Sequence, residues 1–169
     1  MGIHVNDLKS VTGDFARAYL FNAYITSAPV NISGGETLAS YLVESTSLPA
    51  ATLGDIDVPW QGQTYKIAST TEYEDWTCTF KVDVMSEIRK SFEYWMKMIH
   101  DPSTNFHGIP NAYFGEVKIE LLNGQAIPII TYTLHNAYPK SVGAIDLGQD
   151  TKEYATFDVT FRYVWHESV

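Results

Sequence analysis

Across residues 154–165 the chain alternates between bulky apolar and polar positions. Phe157, Val159, Phe161, Tyr163 and Trp165 fall on one face, and Thr156, Asp158, Thr160 and Arg162 on the other. A period of two with aromatic and β-branched residues predicts a strand with one buried face and one wet face. Residues 76–84 repeat the pattern: Trp76, Cys78, Phe80, Val82 and Val84 oppose Thr77, Thr79, Lys81 and Asp83. Two such strands, each with a threonine-and-charge face, predict a β protein that works through its surfaces.

Weaker alternation predicts further strands at residues 19–26, 38–47, 115–122 and 127–136, with short pieces at 56–60 and 64–67. Gly34-Gly35, Gln61-Gly62 and Asn123-Gly124 are turn signals, the last a strong two-residue hairpin signal. Pro139, Gly143 and Gly148 punctuate the approach to the last strand. One helix is expected at residues 86–100, where Ile88, Phe92, Trp95 and Ile99 form a single apolar stripe. Ser86 is its expected N-cap, Lys97 and His100 suit its negative end, and Pro102 blocks continuation. Residues 1–14 read as a flexible polar arm, and residues 48–71 as an extended loop or hairpin in which Gln61-Gly62 turns one piece back on the other. The expected fold is mainly β, an antiparallel sandwich or barrel-like subunit with one packed helix, in a single domain spanning 1–169.

Composition narrows the function. Twenty acidic residues against 11 basic ones give a net charge of −9, which argues against tight nucleic-acid binding because that needs Lys and Arg to displace counterions. Cys78 is the single cysteine; on an apolar strand face it is expected as a buried thiol in a chain made in a reducing cytoplasm. No basic-then-apolar leader is evident, and no apolar run approaches the ~20 residues of a membrane helix.

Catalytic chemistry finds little support. His4, His100, His107, His135 and His166 have no tight metal spacing, so neither a zinc site nor any other cofactor is expected. GxSxG, Walker and GxGxxG sequences do not occur. Glu72, Glu74 and Asp75, like Asp55 and Asp57, read as solvated edges rather than paired catalytic carboxylates. The chain is not expected to be an enzyme.

Several segments, taken in order, resemble the tail tube proteins of contractile-tailed bacteriophages. They are Gly13-Asp14-Phe15-Ala16-Arg17 with Leu20-Phe21, Ser47-Leu48-Pro49-Ala50, Glu74-Asp75-Trp76-Thr77-Cys78-Thr79, and the helix with Phe92 and Trp95. Tyr138-Pro139-Lys140-Ser141-Val142-Gly143 and Thr156-Phe157-Asp158-Val159-Thr160 complete the set, with Tyr163 and Trp165 at the aromatic finish. The resemblance runs from about residue 13 to 166. It fits less well at residues 1–12 and 101–113.

The resemblance implies a virion structural protein that forms six-fold rings stacked into a hollow tube inside a contractile sheath. Each subunit would contribute four strands to a continuous inner barrel. About 24 strands spaced ~4.8 Å and tilted ~40° give a backbone circle roughly 48 Å across and a lumen of roughly 35–40 Å, wider than a DNA duplex. Implied partners are further copies of the chain, the tail sheath protein, and baseplate and tail terminator proteins. A tape-measure protein and genomic DNA would pass through the lumen without specific binding, and no membrane partner is implied. Six copies at −9 would carry about −54 formally, so a net acidic lumen is expected, drawn from Glu44, Glu72, Asp83 and Asp158. Leu48, Leu53, Ile56, Val58 and Trp60 are the expected contacts to the adjacent ring. Related readings are the tube of a tailocin or injection system, or a baseplate tube initiator. From a different class, a monomeric β-barrel binding a small hydrophobic ligand stays open, with a hydrolase a distant third.

Overall fold

The structure is a computed structural model, and residues 15–29, 40, 42–149 and 153–169 are described. The arm expected at 1–14 and the turn at Gly34-Gly35 lie outside the described residues. The chain runs β1 (Phe21–Ser27), β2 (Val43–Thr46), β3 (Ala51–Trp60), β4 (Gln63–Tyr73), β5 (Trp76–Lys81) and α1 (Glu87–Ile99). It continues through short β6 (His100–Asp101) and β7 (Phe106–His107), one-turn α2 (Pro110–Tyr113), β8 (Gly115–Leu122), β9 (Pro128–Val142), β10 (Thr156–Arg162) and β11 (Trp165–Ser168).

Seven strands form one antiparallel sheet in the order β1-β8-β9-β10-β5-β2, with β11 also on β9. Strand β9 is the spine: its first half pairs with β8 and β11, and its second half with β10. Between the halves an extra residue enters, since Gly115 faces Ala137 while Val117 faces Leu134. Asn136 in this bulge has φ 54°, a left-handed conformation that asparagine tolerates better than most residues. The bulge lets the two halves of the sheet share one core. Ala23, Ile25, Val117, Ile119 and Leu134 from one half meet Trp76, Cys78, Phe80, Phe157, Val159 and Phe161 from the other.

Helix α1 buries Ile88, Phe92 and Trp95 as its stripe dictates, while Ile99 is only partly covered. The Phe92 ring centroid lies 5.2 Å from that of Phe80 and 5.8 Å from that of Phe161. Trp95 Nε1 donates to the Tyr113 carbonyl at 2.8 Å, satisfying its one polar group.

Several local expectations are corrected. Ser86 sits in a left-handed conformation (φ 53°) without a side-chain cap bond, and Asp83 Oδ2 accepts the Glu87 N–H at 3.1 Å instead. Strand β2 occupies only Val43–Thr46 of the expected 38–47, with Leu42 in a turn. Val84 lies beyond β5 and is fully exposed, because the chain turns there into α1. Asn123-Gly124 is not a two-residue turn: Asn123 Oδ1 accepts the N–H groups of Gln125 and Ile127, and Ala126 takes the positive φ of 61°. Pro139 lies inside β9, at the irregularity where Phe161 and Thr160 change register. The last strand breaks after Arg162, so Trp165 starts β11 and stacks on His135 at 4.0 Å, outside the core.

Candidate assembly surfaces

Residues 48–71, expected as an extended loop or hairpin, contain most of a long regular hairpin. Gln61 and Gly62, both at positive φ (45° and 83°), close β3 on β4 with Trp60 opposite Gln63. Two positive φ values in succession suit the right-handed twist of the flanking strands, and a glycine at the second position avoids the steric cost. Ten residues of β3 give a reach of roughly 33 Å. Nearly every residue of both strands is exposed. Apart from Tyr73 at its base, whose ring meets Tyr163 and His166, the hairpin makes only marginal contact with other described elements.

The pairing register sorts its two faces. Ile56 opposes Ile67, Val58 opposes Tyr65, and Trp60 follows on the same side. Asp55, Asp57 and Lys66 fall on the other side, with Lys66 Nζ 3.6 Å from Asp55 and 3.7 Å from Asp57. An amphipathic strand pair that lacks a core on its apolar side is an unusual surface for a lone subunit. Of the five residues expected as contacts, the structure brings together Ile56, Val58 and Trp60. Leu53 falls by alternation on the aspartate side, next to a bulge between Leu53 and Asp55. Leu48 precedes the hairpin, half exposed. Tyr65 and Ile67 complete the apolar face and were missed; the Gln61-Gly62 turn together with strict alternation would have found them.

The second surface is the wet face of β5, β10 and the second half of β9. Thr77 opposes Thr160, their hydroxyls 3.2 Å apart, and Thr79 donates to Asp158 at 2.7 Å. Ser141 stands opposite Thr160 on the other flank. Glu44 joins this face, accepting a 3.0 Å hydrogen bond from Tyr154, whose ring lies under Lys81. Asp75 accepts from Lys140 at 2.6 Å and Arg162 at 2.9 Å. These two donors hold its carboxyl below the ordinary aspartate value.

Two of the four expected lumen acids, Glu44 and Asp158, therefore share a face. Glu72 stands at the hairpin base opposite Thr52, and Asp83 caps α1. The shared face is balanced in charge rather than acidic, with Glu44, Asp75 and Asp158 against Lys81, Lys140 and Arg162. The opposite half of the sheet carries Glu116 and Glu167, both 3.2 Å from His135, and Glu120, which accepts from Tyr24 at 2.7 Å. Burial and Glu120 together push the Tyr24 phenol up to about 12.

Among the described residues, no group of three or more His, Cys, Asp or Glu side chains is arranged to hold a metal ion. The Cys78 thiol is pushed up to about 12 by burial, which removes the thiolate that nucleophilic chemistry needs.

A sequence family described as phage tail tube protein matches residues 15–168. The chain belongs to the phage tail tube protein family. A tail tube protein of Serratia phage KSP90 is 30% identical over 124 residues, spanning 72% of this chain and 70% of that one. The fold is similar to a chain of the extended sheath-tube complex of the PVC extracellular contractile injection system, at TM-score 0.68 and 14% identity over 99% of both chains. It is also similar to a chain of the anti-feeding prophage baseplate, at TM-score 0.66 and 16% identity over 88% of this chain and 91% of that one. The protein is a tail tube subunit, a structural component of a phage tail. The mainly β, antiparallel expectation holds.

Proposed function

We propose that this tail tube protein assembles into six-fold rings that stack through the β3–β4 hairpin into a hollow, non-catalytic conduit. The observation that carries the reading is the hairpin itself. It sets Ile56, Val58, Trp60, Tyr65 and Ile67 on one face with no core beneath them. An exposed apolar face of this extent marks a site that another molecule covers. One modest contact per subunit gains strength from sixfold repetition.

The threonine face of β5 and β10 is our candidate for the lumen wall, with Glu44 and Asp158 on it. Lys140 and Arg162 are committed to Asp75, and Lys81 to the Tyr154 ring. A wall whose cations are already paired offers DNA little counterion release and lets it slide. Passage of the genome, with a tape-measure protein before it, fits this chemistry. A surrounding sheath, with baseplate and terminator proteins at the ends, fits the contexts in which the similar folds occur.

Negative-stain electron microscopy of the protein with and without residues 53–60 tests the reading. Tubes from the full chain and isolated rings or subunits from the shortened one are expected. Normal tubes from the shortened chain would remove the hairpin from assembly.

A further inference from the structure

The hairpin face lacks a cover among the described residues, and the subunit carries an apolar recess elsewhere. A groove of about 710 Å³ runs between the C-terminal half of α1 and β9, floored by Met96, Ile99, Pro102, Tyr138 and Pro139. Its rim charges are already used, Lys97 by Asp101 at 3.8 Å and Lys140 by Asp75. An apolar floor inside a neutralised rim selects an apolar knob rather than an ion.

The knob is on the same chain. Trp60 is 70% and Tyr65 66% exposed. With Ile56, Val58 and Ile67 they present on the order of 500 Å², hence about 1,000 Å² with the partner's share, the threshold for a specific interface. Among the described residues, only Tyr73 at the hairpin base packs on the body of the subunit, and the Ile56–Val58–Trp60 face meets no other element beyond marginal contact. A knob and a recess at different places on each copy make a head-to-tail contact, which propagates instead of closing at a dimer. Open-ended growth is what a tube requires.

We propose that the Ile56–Val58–Trp60 face of one copy docks into the α1–β9 groove of a copy in the next ring, with Trp60 as the knob. The inference rests on the reading of the hairpin as the stacking element. It adds the receptor, so every copy is donor on one side and acceptor on the other.

Complementation separates the two claims. Trp60→Asp blocks the knob and leaves the groove; Met96→Arg blocks the groove and leaves the knob. Sedimentation velocity with negative-stain imaging should find each variant alone as subunits or single rings. An equal mixture should form a paired species of doubled mass that grows no further. Pro102→Glu, at an exposed groove position, serves as a second groove block if Met96→Arg unfolds on a thermal melt. Continued stacking of both groove variants, with none by Trp60→Asp, would overturn the groove and leave the hairpin reading standing. Normal stacking by Trp60→Asp would overturn both. Failure of the mixture to pair at about 100 μM, where even a weak interface is populated, would overturn the docking.

Discussion

Ile56 stands directly across the hairpin from Ile67, and both side chains face solvent. Cross-strand apolar pairs ordinarily stabilise a sheet from its buried side. Here the pair lies on a strand ribbon against which no described element packs, so its value to the isolated subunit is small.

Stability and assembly should therefore separate at this face. Val58→Asp is expected to shift unfolding free energy by no more than about 0.5 kcal/mol, as surface changes do. Tube formation should be abolished. Urea unfolding and electron microscopy of the same preparation check the pair of outcomes; a variant that loses stability and assembly together would tie the hairpin to the fold instead.

The helix contact behaves in the opposite way. Phe92→Ala removes a ring packed among Phe80, Phe157 and Phe161, at an expected cost of about 3–5 kcal/mol. Denaturant midpoints measure it. A loss below about 1 kcal/mol would mean that α1 is peripheral to the core.

Gly115 lets the Trp95 indole lie directly against the sheet. A Cβ there would run into the Ser27 carbonyl oxygen and sit 2.8 Å from the Trp95 indole. Gly115→Ala should cost about 1–3 kcal/mol through overpacking. Trp95→Phe, which trims the indole, should recover part of that loss in the double variant; additive losses would argue against the clash.

Cys78 offers a chemical readout of the core. With its thiol pushed up to about 12 by burial, it should resist thiol-reactive dyes at pH 8 in the folded chain and react at once in urea. Prompt labelling of the native protein would show that the β5–β10 layer opens.

His166 links stability to pH. Burial lowers its pKa below the ordinary value of 6.5, and its Nδ1 has no hydrogen-bond partner among Tyr73, Tyr132 and Tyr163. The unfolded chain thus takes up a proton first, so this contribution is complete above about pH 6.5 and declines as pH falls through the lower folded value. Asp75 acts with the same sign at lower pH: its stabilisation is present above the ordinary aspartate value and lost as pH falls through its depressed one. His166→Phe should flatten the stability profile as pH falls below about 6.5. An unchanged slope would assign the titration elsewhere.

Local chemistry made some of these features legible in the sequence and hid others. Strand alternation disclosed the buried rows Trp76-Cys78-Phe80 and Phe157-Val159-Phe161, and helical spacing gave Phe92 and Trp95. Three non-local effects were invisible. The left-handed Asn136 bends β9 between the two halves of the sheet, a role that the sequence around it does not advertise. Trp165 keeps the parity of the preceding strand, but the break after Arg162 carries it onto His135. In the hairpin, exposure on both faces erased the contrast that marks a half-buried strand, so the pattern across 48–71 read as weak. Its apolar face depends on cross-strand register, which placed Tyr65 and Ile67 beside Val58 and moved Leu53 away. The four acids expected for the lumen do not share one face, since Asp83 caps the N-terminus of α1 and Glu72 stands at the hairpin base.

A cryo-electron microscopy reconstruction of the assembled tube tests the central claim most directly. The account predicts that the Ile56, Val58 and Trp60 side chains are covered by a copy in the adjacent ring and that Thr77, Thr79 and Thr160 line the lumen. A tube whose hairpin stands free in solvent, its apolar face uncovered, would contradict it.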